Sequence, residues 1–292
     1  MPLSTFSIVA VDLATGELGV AVASKFLAVG AVVPWARAGV GAVATQSYAN
    51  VSYGPTGLEL MAAGHSAGET LARLLADDPE RELRQVGIVD ARGGTATFTG
   101  SACHAWAGGR TGPGYAVQGN ILTGPEVVDA MAHAFETTDG PLAVRLLAAL
   151  AAGDAAGGDR RGKQSAALLV VKERGGYGGY TDRFIDLRVD DHVEPVAELQ
   201  RLYGIWRLYF EKPAPEDRLP LEGALLVELQ ELMRVLGYYQ GPVHGQWDEA
   251  TRRAYATLIG NENFEERIPL DADWIDRAVL EYLRDLARRR QG

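Results

Sequence analysis

Thr5-Phe6-Ser7-Ile8-Val9-Ala10-Val11-Asp12, turning through Ala14-Thr15-Gly16-Glu17 into Leu18-Gly19-Val20-Ala21-Val22-Ala23-Ser24, reads as a strand and its antiparallel return. A second hairpin follows over residues 84–90 and 95–99, turning through Arg92-Gly93-Gly94. Both leave their first strand through Val-Asp into a glycine turn. That pattern arises easily in β proteins and is a weak sign of internal repetition. Between them, 55–64 and 66–77 read as helices, the second with Ser66 as N-cap and Glu69 at the capping-box position. Another helical pair, over 125–136 and 141–150, carries proline in each first turn, and strands return over 165–172 and 184–189. Hairpins separated by helix pairs predict stacked sheets with helices outside rather than alternating βαβ units. The glycine-rich stretch 153–162 reads as a mobile surface loop.

The remaining chain has a different character. Of 35 glycines, 28 precede residue 193 and 7 follow it. Helices are expected over 196–210, 221–236, 249–259 and 272–289, so the reading is an α+β domain over 1–192 and a small all-α domain over 193–292. A length of 292 residues with 47% hydrophobic content allows about two domains, each with its own core. A net charge of −10 opposes nonspecific binding to nucleic acid or anionic membrane. No apolar run approaches the ~18 residues of a membrane span and no basic n-region opens the chain, so neither partner is expected and a cytoplasmic location is. The single cysteine, Cys103, excludes an internal disulfide and metal-thiolate sites. His65, His133, His192 and His244 lack metal-ligand spacing, and no P-loop or dinucleotide fingerprint is present. No cofactor and no metal are expected.

Several motifs carry a resemblance: Phe6-Ser7-Ile8-Val9-Ala10, Gly19-Val20-Ala21-Val22-Ala23-Ser24-Lys25, Val29-Gly30-Ala31-Val32-Val33-Pro34-Trp35, Gly41-Ala42-Val43-Ala44-Thr45-Gln46, Tyr53-Gly54-Pro55, Thr99-Gly100-Ser101-Ala102-Cys103 and Gln118-Gly119-Asn120. Together, over about residues 4–192, they resemble a bacterial and archaeal family described as N-terminal-nucleophile (Ntn) hydrolase-like. The resemblance implies a four-layer αββα sandwich. Further on, Leu229-Gln230-Glu231-Leu232-Met233, Gly241-Pro242-Val243-His244-Gly245 and Trp247-Asp248, within about 221–268, look like a peptidoglycan-binding module.

Ntn hydrolases attack an amide with the side chain of residue one, whose own α-amine, with a pKa of about 7.7–8.0, is the base. Thr5 matches the family's strand-opening threonine. Here Met1-Pro2-Leu3-Ser4 precede it, and removal of the initiator alone exposes Pro2. Thr5 is therefore either a nucleophile released by trimming or an ordinary β-branched strand starter. Lys25 is a candidate for lowering the nucleophile's pKa or stabilising an oxyanion, or a solvated strand-end lysine. Ser24, Thr45, Gln46 and Tyr48 gather polar groups where strands run into loops, as substrate-binding groups or as turn and cap residues. Gln118 and Asn120 offer amide donors to an oxyanion or form a Gly-Asn turn. Cys103 and His104 are neighbours on the chain and point apart, which suits a small buried cysteine better than a dyad. Tyr238, Tyr239, Trp247 and Tyr255 either stack on sugar rings or fill a small helical core.

Three functions compete: an Ntn-type amide-bond hydrolase acting on a small or muropeptide-like substrate through Thr5, a noncatalytic protein that binds a cell-wall fragment or protein partner, and a hydrolase using Ser24 or Lys25. A homodimer is among the assemblies open to it.

Overall fold

The computed structural model describes residues 5–291; residues 1–4, the tetrapeptide read ahead of Thr5, and residue 292 lie outside them. The chain divides into two units, Met1–Leu202 and Tyr203–Gly292.

In the first unit the elements run β1 Thr5–Asp12, β2 Glu17–Ser24, β3 Pro34–Arg37, β4 Gly41–Ser47, α1 Tyr53–Ala62, α2 Ala67–Ala76, β5 Arg84–Asp90, β6 Thr95–Thr99, β7 Gly108–Gly112, β8 Tyr115–Asn120, α3 Glu126–Thr137, α4 Leu142–Ala155, β9 Ser165–Val171 and β10 Arg183–Val189. Two antiparallel sheets result, with strand orders β10-β9-β2-β1-β8-β7 and β3-β4-β5-β6. β1 and β2 form the expected hairpin, in register from Thr5↔Ser24 to Asp12↔Glu17.

Strand alternation decides what each face of β1 meets. Val9 and Val11 join Ala42, Ala44 and Val89 of the other sheet in one buried cluster. Phe6, of opposite parity, turns to the helices α3 and α4. Because both faces are covered, β1 reads as an almost unbroken apolar run. The helices α1 and α2 pack on the four-stranded sheet, and α3 and α4 pack on the six-stranded one. Ser66 caps α2 with the full capping box, as its sequence predicts.

Of the expected loop 153–162, residues 153–155 instead form the last turn of α4, while the rest carries no helix or strand beyond one isolated bridge. Gly153 is buried, and a Cβ there would meet Met131 Cγ at 2.7 Å and Phe6 Cδ2 at 3.2 Å. Here the glycine permits a close helix approach and does not end the helix. Asp159, also in this stretch, is buried, and its neighbour across an isolated bridge is Leu122.

The helix α5 Pro195–Phe210 carries the chain from the first unit into the second, which continues through β11 Arg218–Pro220, α6 Gly223–Leu236, α7 Glu249–Asn261, β12 Trp274–Asp276 and α8 Arg277–Gln291. The second unit is helical as expected, yet it is not all-α. β11 and β12 pair antiparallel, with the Arg218 guanidinium 5.1 Å from the Trp274 ring. The last helix accordingly starts at Arg277, where Asp276 accepts the Ala278 N–H at 2.7 Å. Asp248 caps α7 through the Thr251 N–H at 2.8 Å, as the sequence suggests. The aromatic residues fill the core: Tyr255 and Tyr239 are buried and donate their hydroxyls to the carbonyls of Trp274 and Pro242, and Trp247 packs edge-on to Tyr255.

Candidate functional site

Four strands of the larger sheet end in one polar row. Asn120 of β8 and Ser24 of β2 are the two register partners of Thr5, and Ser165 of β9 is the partner of Ser24. All four side chains are buried. The Thr5 hydroxyl donates to Ser24 Oγ at 3.2 Å. Residues in register share a face, so the row lies on the same side as Val9 and Val11, between the sheets.

Beneath the row runs a buried chain of amides. Gln118 Nε2 donates to Ser7 Oγ, and Ser7 Oγ donates to Gln46 Oε1, each at 2.6 Å. Gln46 Nε2 donates to Gln85 Oε1 at 2.8 Å and to the Thr5 carbonyl at 3.2 Å. Gln85 Oε1 also accepts from Asn120 Nδ2 at 2.9 Å, while Gln85 Nε2 reaches the Gly119 carbonyl at 2.7 Å and Thr99 Oγ1 at 2.9 Å. Gly87 makes room for this layer, since a Cβ there would sit 2.1 Å from Gln118 Oε1. A buried network of this kind fixes geometry because breaking one member strands the others without water.

Thr5, Ser24, Asn120, Gln46 and Gln118 are thus brought together. Thr45 is not among them: its hydroxyl donates to the Asn50 carbonyl at 3.1 Å. Half-buried Tyr48 lies in the loop after β4, its ring centroid 6.0 Å from that of His104. Lys25 is exposed, and its ammonium donates to the Lys163 carbonyl at 3.3 Å. Sequence reasoning missed Ser7, Gln85, Ser165 and Asp159. For Gln85 a signal existed, a polar residue on the inward parity of Gln85, Gly87 and Val89. Asp159 had none.

Asp159 ties the strand ends together. Its carboxylate accepts from the Lys25 N–H at 2.8 Å, from the Arg161 N–H at 2.9 Å and from the Arg161 guanidinium at 3.1 Å. A pocket of about 80 Å³ lined by Phe6, Ser24, Asp154, Asp159 and Lys163 opens beside this knot. On the other side, the carbonyls of His104 and Trp106 accept from the N–H groups of Ile121 and Leu122, which hold residues 104–106 against the end of β8. Burial pushes the Cys103 thiol up, so it is not an activated thiolate. Among the described residues, no three His, Cys, Asp or Glu side chains converge as a metal site.

The loop carrying Tyr48 is braced by Asp78. This buried carboxylate accepts from Arg84 Nε at 2.9 Å, Tyr53 hydroxyl at 2.9 Å and Asn50 Nδ2 at 3.3 Å, while Arg84 Nη1 holds the Tyr48 carbonyl at 2.8 Å. Burial alone raises the Asp78 pKa, but Arg84, Tyr53, the Glu80 N–H and Asn50 outweigh it and hold the carboxyl well below the usual carboxylate range. A depressed folded-state pKa adds stability above the unfolded value of about 3.9, and that stability is lost as pH falls below it. Urea unfolding followed from pH 7 to 2.5 should therefore show an acid-limb loss that is smaller in Asp78→Asn. An unchanged acid limb contradicts the assignment.

Residues 5–199 match the model of a family described as "Family of unknown function (DUF1028)". The chain belongs to this family. A solved DUF1028 structure, protein SPO2555 from Silicibacter pomeroyi, is 32% identical, with the alignment covering 70% of this chain and 89% of that one at a TM-score of 0.64. Anbu (ancestral beta-subunit) from Yersinia bercovieri aligns at 11% identity over 70% of this chain and 94% of its own, at a TM-score of 0.32. Beyond the DUF1028 part, residues 209–283 match a family described as "Putative peptidoglycan binding domain". No curated protein matches significantly. No helix among the described residues is long and apolar enough to cross a membrane.

Proposed function

We propose that the DUF1028 unit is an Ntn-type amide hydrolase for a small substrate, with Thr5 as nucleophile once it is the first residue of the chain, and that the C-terminal unit directs it to a cell-wall fragment. On this reading, residues 1–192 form the hydrolase as a four-layer αββα sandwich. Support for the layers comes from the packing of α1 and α2 on one sheet, of α3 and α4 on the other, and of β1 against β4 and β5. The observation that carries the reading is the position of Thr5: at the head of β1, hydroxyl bonded to Ser24, Asn120 on its other side, carbonyl held by Gln46.

In the reaction, Thr5 Oγ1 bonds to the amide carbon and its proton passes to the α-amine, which returns a proton to the departing amine. Water then hydrolyses the threonyl ester and restores the hydroxyl. Asn120, in the same row, is the amide assigned on this reading to donate to the developing oxyanion with the Nδ2 proton that Gln85 does not hold. The Lys25 ammonium, engaged by Lys163, is given no part in that step.

The test is release of amine from a panel of N-acyl amino acids, dipeptides and muropeptides by the protein trimmed to begin at Thr5 and by its Thr5→Ala variant. Turnover by the former and none by the latter is expected. Saturable binding of the same ligands by both proteins, with turnover by neither, overturns the hydrolase in favour of a noncatalytic binding protein.

A further inference from the structure

We infer that the strand ends on either side of Thr5 select a substrate bearing a carboxylate close to the amide to be cleaved, recognised by Lys25 and Arg160. This rests on Thr5 as nucleophile and names the substrate class of that site.

The placement follows from register. Lys25 directly follows Ser24, one partner of Thr5. Ile121 directly follows Asn120, the other partner, and its carbonyl accepts from the Arg160 N–H at 3.1 Å. Neighbouring strands lie about 4.8 Å apart, so the backbones of Lys25 and Ile121 stand on opposite sides of the entry to β1. The segment joining them is fixed: Asp159 bridges to Leu122 at one end and accepts the Lys25 N–H at the other, while Arg161 Nη2 donates to the Lys25 carbonyl at 3.2 Å.

Charge then separates these two cations from their neighbours. Arg161 is paired with Asp159 at 3.1 Å, and Lys163 with Asp154 at 2.8 Å and Glu194 at 2.6 Å. Lys25 and Arg160 are exposed, and among the described residues neither has a carboxylate within ion-pair distance. In a chain of net charge −10, two cationic side chains rooted on either side of the entry to β1, neither of them ion-paired among the described residues, favour an anion at that edge. Such an edge attracts and orients an anion, and the arginine fork suits the planar carboxylate.

Six matched peptides test this with the protein beginning at Thr5: Glu-Ala and Ala-Glu blocked at both ends, their Gln counterparts, and N-blocked Ala-Ala with its α-carboxylate either free or amidated. Two quantities are measured, kcat/KM by amine release and Kd by calorimetry. The best carboxylate peptide should exceed its neutral counterpart at least tenfold in both, and the arms show whether a side-chain or α-carboxylate is preferred. In Lys25→Met/Arg160→Met, checked for an unchanged thermal midpoint, the ratio should approach one, and Lys25→Arg should retain it. Equal binding of acidic and neutral peptides, or a ratio untouched by the double substitution, overturns the inference. Selective binding without turnover upholds charge selection and overturns the nucleophile, whereas turnover without charge preference does the reverse.

Discussion

Replacing Thr5 by alanine should lower amide turnover at least about a thousandfold, and a chain that still carries residues 1–4 should be equally inactive, because either change removes one half of a single reacting unit. An α-amine becomes a base only when it is not acylated. With Ser4 attached, the Thr5 nitrogen is an amide and has no proton-accepting lone pair to offer. Thr5→Ser keeps both hydroxyl and amine and should retain turnover. The rate of the trimmed protein should rise with pH through about 8, the range in which an α-amine loses its proton. Steady-state rates of the trimmed, untrimmed, Ala and Ser proteins, measured side by side, check this. An untrimmed chain as fast as the trimmed one contradicts it.

The second large effect concerns stability and belongs to the C-terminal unit. Arg267 and Asp276 form an ion pair at 2.7 Å with side chains only 7% and 1% exposed. Arg267 Nη1 also donates to the Arg207 carbonyl at 2.6 Å, and Asp276 caps α8. Removing the arginine leaves a carboxylate in the protein interior, and breaking a buried pair from one side costs about 3–5 kcal/mol. Arg267→Met should lower the stability of this unit by that amount in denaturant titrations. Arg267→Met combined with Asp276→Leu should recover part of the loss, because no charge is then stranded. A loss below about 1 kcal/mol for the single variant contradicts the pairing.

Local features were readable and distant ones were not. The β1–β2 hairpin, the Ser66–Glu69 capping box and the Asp248 cap depend on residues a few positions apart, where propensity and spacing act. The strand β7, made of Gly108–Gly112, carries no apolar alternation and is a strand only because β8 pairs with it. Asp159 sits in a glycine-rich stretch that resembles a loop, yet its partner Lys25 is 134 positions away. The same holds for the site. Thr5, Ser24 and Asn120 were identifiable as polar residues at strand ends, and sheet register set them side by side. Gln118 and Ser7, 111 positions apart, meet only because β8 folds beside β1. Thr45 lies one residue from Gln46, and because neighbours on a strand face opposite ways its hydroxyl meets the Asn50 carbonyl and not the amide chain.

Trapping the acyl intermediate and mapping it by mass spectrometry asks the decisive question. A slowly hydrolysed amide or a β-lactone, quenched on the active protein and digested, should leave its acyl group as an ester on a peptide whose first residue is Thr5. Label on Ser24, or on a peptide still carrying residues 1–4, would show that the chemistry lies elsewhere.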